Sequence, residues 1–222
     1  MYKNTKKYFS KALLLKNRHQ GATGVILANG PSALNYKCNN QRLIHIGVNA
    51  SPLLEEKCNV VLDYYVLSDR RFLQNPEKRK IALSMLDRKT TCVLREELSY
   101  DLETFEDNVY FVKAIGRDGF SKNLAKGFYF GCTTTMLALQ LAYYLGLRKI
   151  YLVGVDLLYR PEQPRFYHET NVEPHDPFTS VQIWNFSNAY LTLKELGVEL
   201  YLCSYESLVR PYIPYKEISQ IQ

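Results

Sequence analysis

The sequence has no run of about 18 apolar residues, which excludes a membrane-spanning helix. Its five cysteines (Cys38, Cys58, Cys92, Cys132 and Cys203) are scattered and never fall in a Cys-x-x-Cys spacing. Neither a zinc site nor a disulfide framework is signalled, and the thiols are expected to be buried in a reducing, cytoplasmic compartment. The apolar stretch Ala12–Leu15 is too short for the core of a signal peptide. No internal repeat or linker divides the chain. Tryptophan occurs once, against 18 Tyr and 10 Phe. Tyr joins an apolar ring to a polar tip, which suits sugar and nucleotide pockets as well as half-buried strands. The charge excess is small, 28 Lys and Arg against 22 Asp and Glu, for a net of +6. That balance favours anionic partners but is too dispersed to indicate nucleic acid.

At 222 residues, 46% hydrophobic and 23% charged, the chain has the composition of one folded α/β domain. Residues 1–20 stand apart. Lys3, Lys6, Lys7, Lys11, Lys16 and Arg18 share the segment with Tyr8, Phe9, Leu13 and Leu14. This pattern predicts a basic amphipathic helix, either packed on the body with its lysines in solvent or lying on an anionic membrane surface. From residue 21 onward, short apolar runs alternate with helical stretches. Strands are predicted at 25–28, 43–46, 60–67, 91–94, 109–112, 150–156 and 198–203. Helices are predicted from about Pro31–Ser32, over 133–145 closed by Gly146, and over 179–196 closed by Gly197. The fold class is therefore α/β: a single Rossmann-like, doubly wound, mostly parallel sheet with right-handed crossovers. Residues 157–178 exceed an ordinary connection and are expected to form a lid loop.

Ligands of open α/β sheets bind outside the carboxyl ends of the strands. Four predicted strand ends carry small or polar residues: Asn29-Gly30-Pro31-Ser32, Asn49-Ala50-Ser51, Ser68-Asp69-Arg70 and Gly154-Val155-Asp156. In the first of these, Gly30 lets backbone amides approach a ligand, and the helix starting near Ser32 offers N–H groups to a phosphate. The turn is neither a Walker loop nor the three-glycine dinucleotide fingerprint. Gly131-Cys132-Thr133-Thr134-Thr135 repeats the theme, with hydroxyls beside a helix start that serve as an anion cradle or as ordinary caps. Asp69 and Asp156 are either helix caps or ribose-binding carboxylates. The lid holds Tyr159, Arg160, Arg165, Phe166, Tyr167, His168 and His175. A histidine titrates near neutral pH and suits a general base that deprotonates an acceptor hydroxyl.

The turn Ala28-Asn29-Gly30-Pro31-Ser32 resembles the opening motif of the bacterial sialyltransferases of glycosyltransferase family 42. A second block is similar to that family's helix-strand unit beneath the donor. It runs from Thr133 through Ala138-Leu139, Leu145-Gly146 and Arg148–Leu152 to Gly154-Val155-Asp156. Together with Asp63–Asp69, it also resembles a wider group that includes motility-associated flagellin glycosyltransferases and pterin pyrophosphokinases. The resemblance covers roughly residues 24–205 and is weak over 75–125. It implies a CMP-activated sialic acid or related keto sugar as donor, with no cofactor or catalytic metal. Carried over by position, Asn29, Gly30 and Ser32 would contact the nucleotide. Asn49 and Asp69 would lie near the donor, with Asp156 on the same rim. Thr133 and Thr134 would hold the donor's phosphate and carboxylate. Tyr159 and Tyr167 would stabilise the departing phosphate, and His175, with His168 as the second choice, would be the base. The lid is shorter here than in the sialyltransferases.

The expected function is an inverting, metal-independent glycosyltransferase acting on a surface glycan such as lipopolysaccharide, with residues 1–20 peripheral on the inner face of the cell membrane. Two other readings are an Mg²⁺-dependent, pyrophosphokinase-like phosphoryl transferase using Asp69, Asp156 and Asp176, and a nucleotide-binding module without turnover. Monomer and homo-oligomer are both compatible with the sequence.

Overall fold

The computed structural model describes residues 11–102, 105–160, 162–169 and 176–221. Nine strands are present among them: β1 (Thr23–Leu27), β2 (Ile44–Val48), β3 (Tyr64–Leu67), β4 (Thr91–Arg95), β5 (Val109–Val112), β6 (Ala114–Gly116), β7 (Phe128–Tyr129), β8 (Lys149–Val153) and β9 (Glu199–Leu202). The α-helices are α1 (Glu55–Cys58), α2 (Arg70–Gln74), α3 (Pro76–Leu86), α4 (Thr134–Tyr144) and α5 (Thr179–Glu195). Seven strands form one sheet in the order β5-β4-β3-β2-β1-β8-β9, and every pairing is parallel. The seven predicted strands are these seven.

The strands are apolar without alternation because both faces of the sheet are covered, as a parallel sheet requires. Successive side chains point to opposite faces. Accordingly Ile26, Ile46, Val66, Val93 and Leu152 join one buried cluster, while Val25, Leu27, Tyr65, Leu94 and Val153 join the other. Helix α4 lies on the first face. It is apolar around nearly its whole circumference, and every residue but Tyr143 is buried, the mark of a central helix with no solvent stripe. Gly146 (φ +90°) ends it and leads into β8.

Several elements differ from the sequence reading. The third strand begins only at Tyr64. Asn59 caps α1 in the left-handed region, and the chain after it bonds back onto earlier elements through Leu62 N–H to Glu55 and Asp63 N–H to His45 O. The segment after Gly30 is a single 3₁₀ turn, Pro31–Asn35, stopped by the extended Tyr36. The basic segment was expected to be helical throughout 1–20. Its first ten residues lie outside the described residues, and the helical turns stop at Leu15, because Lys16 is extended and Asn17 is left-handed at φ +56°. Ala12 and Leu15 are buried in the core, whereas Leu13 and Leu14 face solvent. Among the described residues no helix is long and apolar enough to cross a membrane.

Two features were not anticipated. Helix α3 starts at Asn75, whose Oδ1 accepts the N–H groups of Glu77 and Lys78 ahead of Pro76 in the first turn. The second sheet pairs β6 with β7, and Gln140 of α4, fully buried, holds it down. The Gln140 Oε1 accepts from Ser121 N–H (2.9 Å) and Tyr129 N–H (3.0 Å). Its Nε2 donates to Tyr129 O (2.8 Å) and Met136 O (2.7 Å). Gln140→Leu keeps the volume but leaves those backbone groups unpaired in the core, at about 1–3 kcal/mol per orphaned group. Met136 O keeps its helical partner, so three groups are orphaned and urea denaturation should show a loss of at least about 3 kcal/mol; an unchanged midpoint would mean the second sheet does not depend on this side chain.

Candidate active site

The sheet order reverses between β1 and β8, so the loops leaving these neighbouring strands turn to opposite faces and leave a crevice between them. A cleft of about 230 Å³ opens there. Residues 28–30 after β1 and 154–156 after β8 border it, together with Asn49 after β2, Asp69 after β3, and Thr133 and Thr135 at the start of α4. Tyr159, Arg165 and Tyr167 of the 157–178 loop also line it.

The two strand ends are tied together by Asp156. Its Oδ2 accepts the Ser32 N–H at 2.9 Å and its Oδ1 the Ser32 hydroxyl at 2.5 Å, while Ser32 Oγ also lies 2.8 Å from Ser204 Oγ. Gly30 N–H donates to Gly154 O at 2.8 Å. A Cβ at Gly30 would stand 2.4 Å from Asp156 Oδ2 and 2.7 Å from Gly154 O, so only glycine lets the carboxylate lie against the turn. Asn29 ties β1 to β2 in the same way, its Nδ2 donating to Val48 O and its Oδ1 accepting from Ala50 N–H, both at 3.0 Å. Asn49 is held at φ +53°. Its Oδ1 is buried without a hydrogen-bond partner, an incomplete polar complement at a cleft wall. Gly131 (φ +52°) and Cys132 (φ +56°) are consecutive left-handed residues, and this tight turn aims the start of α4 at the cleft. Thr133 caps that helix by accepting from Thr135 N–H.

The loop over the cleft is anchored. Phe166 is buried in the core, and its N–H donates to Asn29 O at 3.1 Å. The Arg165 guanidinium lies 4.7 Å from the centre of the Tyr159 ring. Tyr159 donates to Asp176 Oδ2 at 3.3 Å, and Tyr167 donates to Glu169 Oε1 at 3.2 Å. Burial pushes both phenols above their ordinary value. They therefore stay protonated at neutral pH and offer O–H donors to negative charge. The cations at the cleft are matched with carboxylates: Arg71 with Asp69 at 2.7 Å, and Lys78 with Glu169 at 2.6 Å.

Solved structures share this architecture. The CstII sialyltransferase from Campylobacter jejuni, determined in complex with cytidine-5'-monophosphate as a substrate analogue, matches with a TM-score of 0.55 at 13% identity over 90% of this chain and 86% of that one. Cst-I from the same organism, a monofunctional alpha-2,3-sialyltransferase, matches with a TM-score of 0.52 at 13% identity over 89% and 81%. The MAf glycosyltransferase from Magnetospirillum magneticum AMB-1 matches with a TM-score of 0.55 at 15% identity, over 98% of this chain but only 39% of that longer protein. This chain shares the fold of these proteins. No protein-family model matches the sequence, and no curated protein is significantly similar to it. The resemblance read from the Asn29–Ser32 turn and the 133–156 block thus has its counterpart in the fold.

On this scaffold, Asn29, Gly30, Asn49, Asp69, Thr133, Asp156, Tyr159 and Tyr167 all border one cleft. Ser32 does not. It lines a neighbouring cavity beyond Asp156, and its N–H, expected to be open to a phosphate, is taken by that carboxylate. Thr134 is buried beneath the rim and bonded to Ser68 Oγ at 2.9 Å, so Thr133 and Thr135 are the hydroxyl residues that border the cleft. Asp69 acts as the cap of α2, accepting from Arg71 N–H at 3.0 Å. His168 is exposed and outside the cleft wall, and His175 lies outside the described residues. His19 and His45 are structural. Each bonds a tyrosine hydroxyl at 2.8 Å, Tyr64 and Tyr36 respectively, and burial lowers the pKa of both. Among the described residues no three His, Cys, Asp or Glu side chains gather to hold a metal ion, so Asp69, Asp156 and Asp176 do not form one site.

The sequence reading missed Lys78 and Glu169. Lys78 was findable from the Asn75-Pro76 pair, a helix-start signature that puts a lysine in the first turn. Glu169 carries no local signal. Gly30→Ala forces the Asp156 carboxylate off the turn and should cost about 1–3 kcal/mol, measured as a lower urea midpoint. A variant as stable as the parent would mean that the Asp156–Ser32 tie is dispensable.

Proposed function

We propose that the chain is an inverting glycosyltransferase that moves sialic acid or a related keto sugar from a CMP-activated donor to a glycan hydroxyl, without a metal. The carrying observation is the cleft at the β1/β8 reversal, where two half-buried tyrosines and the cations Arg165 and Lys78 converge. The fold adds support: CstII has been solved with CMP, and with CMP and a trisaccharide acceptor together. In the proposed reaction the acceptor oxygen attacks the anomeric carbon from the face opposite the phosphate. A carbon–oxygen bond forms there as the bond to the phosphate oxygen breaks. His175 takes the acceptor's proton, and CMP leaves with the electron pair. Tyr159 and Tyr167 donate hydrogen bonds to the phosphate as its charge develops, the form of stabilisation most effective in a water-poor site. A surface glycan such as lipopolysaccharide is the proposed acceptor.

Melting curves with CMP test the donor half. Stabilisation without added Mg²⁺ is expected, reaching about 2.7 kcal/mol at a hundredfold excess over Kd. A positioned base contributes about 100- to 10,000-fold in rate. His175→Ala should therefore lower turnover by that order and leave CMP binding unchanged. Full turnover in that variant would remove His175 from the mechanism, and activity abolished by a chelator would favour Mg²⁺-dependent phosphoryl transfer.

Residues 1–20 are proposed to rest on the anionic membrane that carries the acceptor. The exposed Leu13 and Leu14, 45% and 64% accessible beside Lys11, Lys16 and Arg18, support this. Deleting the whole segment would also remove Leu15 from the core, so the cleaner variant is Leu13→Glu/Leu14→Glu. It should sediment several-fold less with phosphatidylglycerol vesicles at unchanged melting temperature. Equal sedimentation would refute membrane docking.

A further inference from the structure

The cleft holds more negative than positive side chains among its described residues: Asp69, Asp156, Glu169 and Asp176 against Arg71, Lys78 and Arg165. An anionic ligand gains these cations as partners only where a carboxylate gives them up. Three of the four are held by backbone amides: Asp69 by Arg71 N–H, Asp156 by Ser32 N–H and Asp176 by Phe178 N–H. Glu169 differs. Among the described residues its partners are all side chains of the cleft, namely Lys78 Nζ at 2.6 Å, Tyr167 Oη at 3.2 Å and Arg165 Nε at 4.0 Å. Each of them can rotate away and bond another oxygen. The Glu169 side chain is only 11% accessible and Lys78 29%, so the pair is shielded enough for its charges to matter.

We infer that Lys78, Arg165 and Tyr167 form an anion subsite, and that the Glu169 carboxylate occupies it in the free protein as an internal stand-in for the ligand's own anionic group. An incoming phosphate or carboxylate presents two or three oxygens to the same ammonium, guanidinium and phenol, and Glu169 is exchanged for it. The anion's identity rests on the proposed function, under which it is either the donor's phosphate or the carboxylate of its keto sugar; the subsite itself does not. It also gives Lys78 an anion-binding role that the Asn29–Ser32 turn and the 133–156 block do not contain.

Glu169→Gln keeps the shape and removes the competing charge. Calorimetric titration of the full chain with CMP, inorganic phosphate and N-acetylneuraminate should show about tenfold tighter binding of at least one anion, the size expected of a charge-assisted hydrogen bond. A gain with CMP and phosphate assigns the subsite to the phosphate; a gain confined to N-acetylneuraminate assigns it to the sugar carboxylate. Lys78→Met in the same background should abolish the gain. If Glu169→Gln melts early, Glu169→Asp, which draws the carboxylate back by one methylene, should move affinity in the same direction. Affinities equal to or weaker than the parent's would overturn the subsite, even with CMP bound normally. Tighter phosphate binding by a chain with no affinity for CMP would keep the subsite and remove the nucleotide reading.

Discussion

One carboxylate sets the geometry of this molecule's working end. Asp156, at the close of β8, accepts two hydrogen bonds from Ser32, just beyond β1, across the point where the sheet order reverses. That contact requires glycine at position 30, where any side chain would meet the carboxylate. It also requires the left-handed Gly154, where a Cβ would come within 3.0 Å of Ala28 O. With Asn29 fastened to the end of β2, three adjacent strand ends are locked together. A cleft on such a rim is preorganised, which is what a site that must recognise developing charge needs.

Above this rigid base lie the described residues of the 157–178 loop, which are irregular but anchored. Its hold on the body is apolar at Phe166 and polar at Asn29 O. Its tyrosines are partly desolvated, and the same desolvation that keeps them protonated strengthens their hydrogen bonds to Asp176 and Glu169. The cations at the cleft are compensated in the free protein, which limits the penalty of holding charges partly away from water. The molecule thus holds fixed carboxylates where it needs structure and, at Glu169, a side-chain-bound one lining the cleft.

Much of the architecture was legible in the amino-acid order. All seven strands of the main sheet sit where apolar runs predict them, because a parallel sheet buried on both faces leaves a run in the sequence rather than an alternation. Helix α4 was likewise visible from its apolar length and its closing glycine. The second sheet was not, since strands of two and three residues are too short to show a period. The turn after Gly30 looked like a helix start because Pro and Ser mark 3₁₀ and α turns equally. The stop at Tyr36 has no comparable marker.

The sequence by itself determined which segments are strands and helices and which of their ends carry polar residues. Those are properties of neighbours along the chain, fixed by local periodicity and turn chemistry. Only the tertiary structure decided which polar groups border the cleft and which are spent on the scaffold. Thr134 bonds Ser68 beneath the rim while Thr133 and Thr135 border the cleft, because Thr133 is the extended cap of α4 and the two helical residues after it point about 100° apart. Ser32 meets Asp156 across 124 positions and Lys78 meets Glu169 across 91. Such pairs are set by strand order and by the path of a loop through space, and no local pattern encodes them.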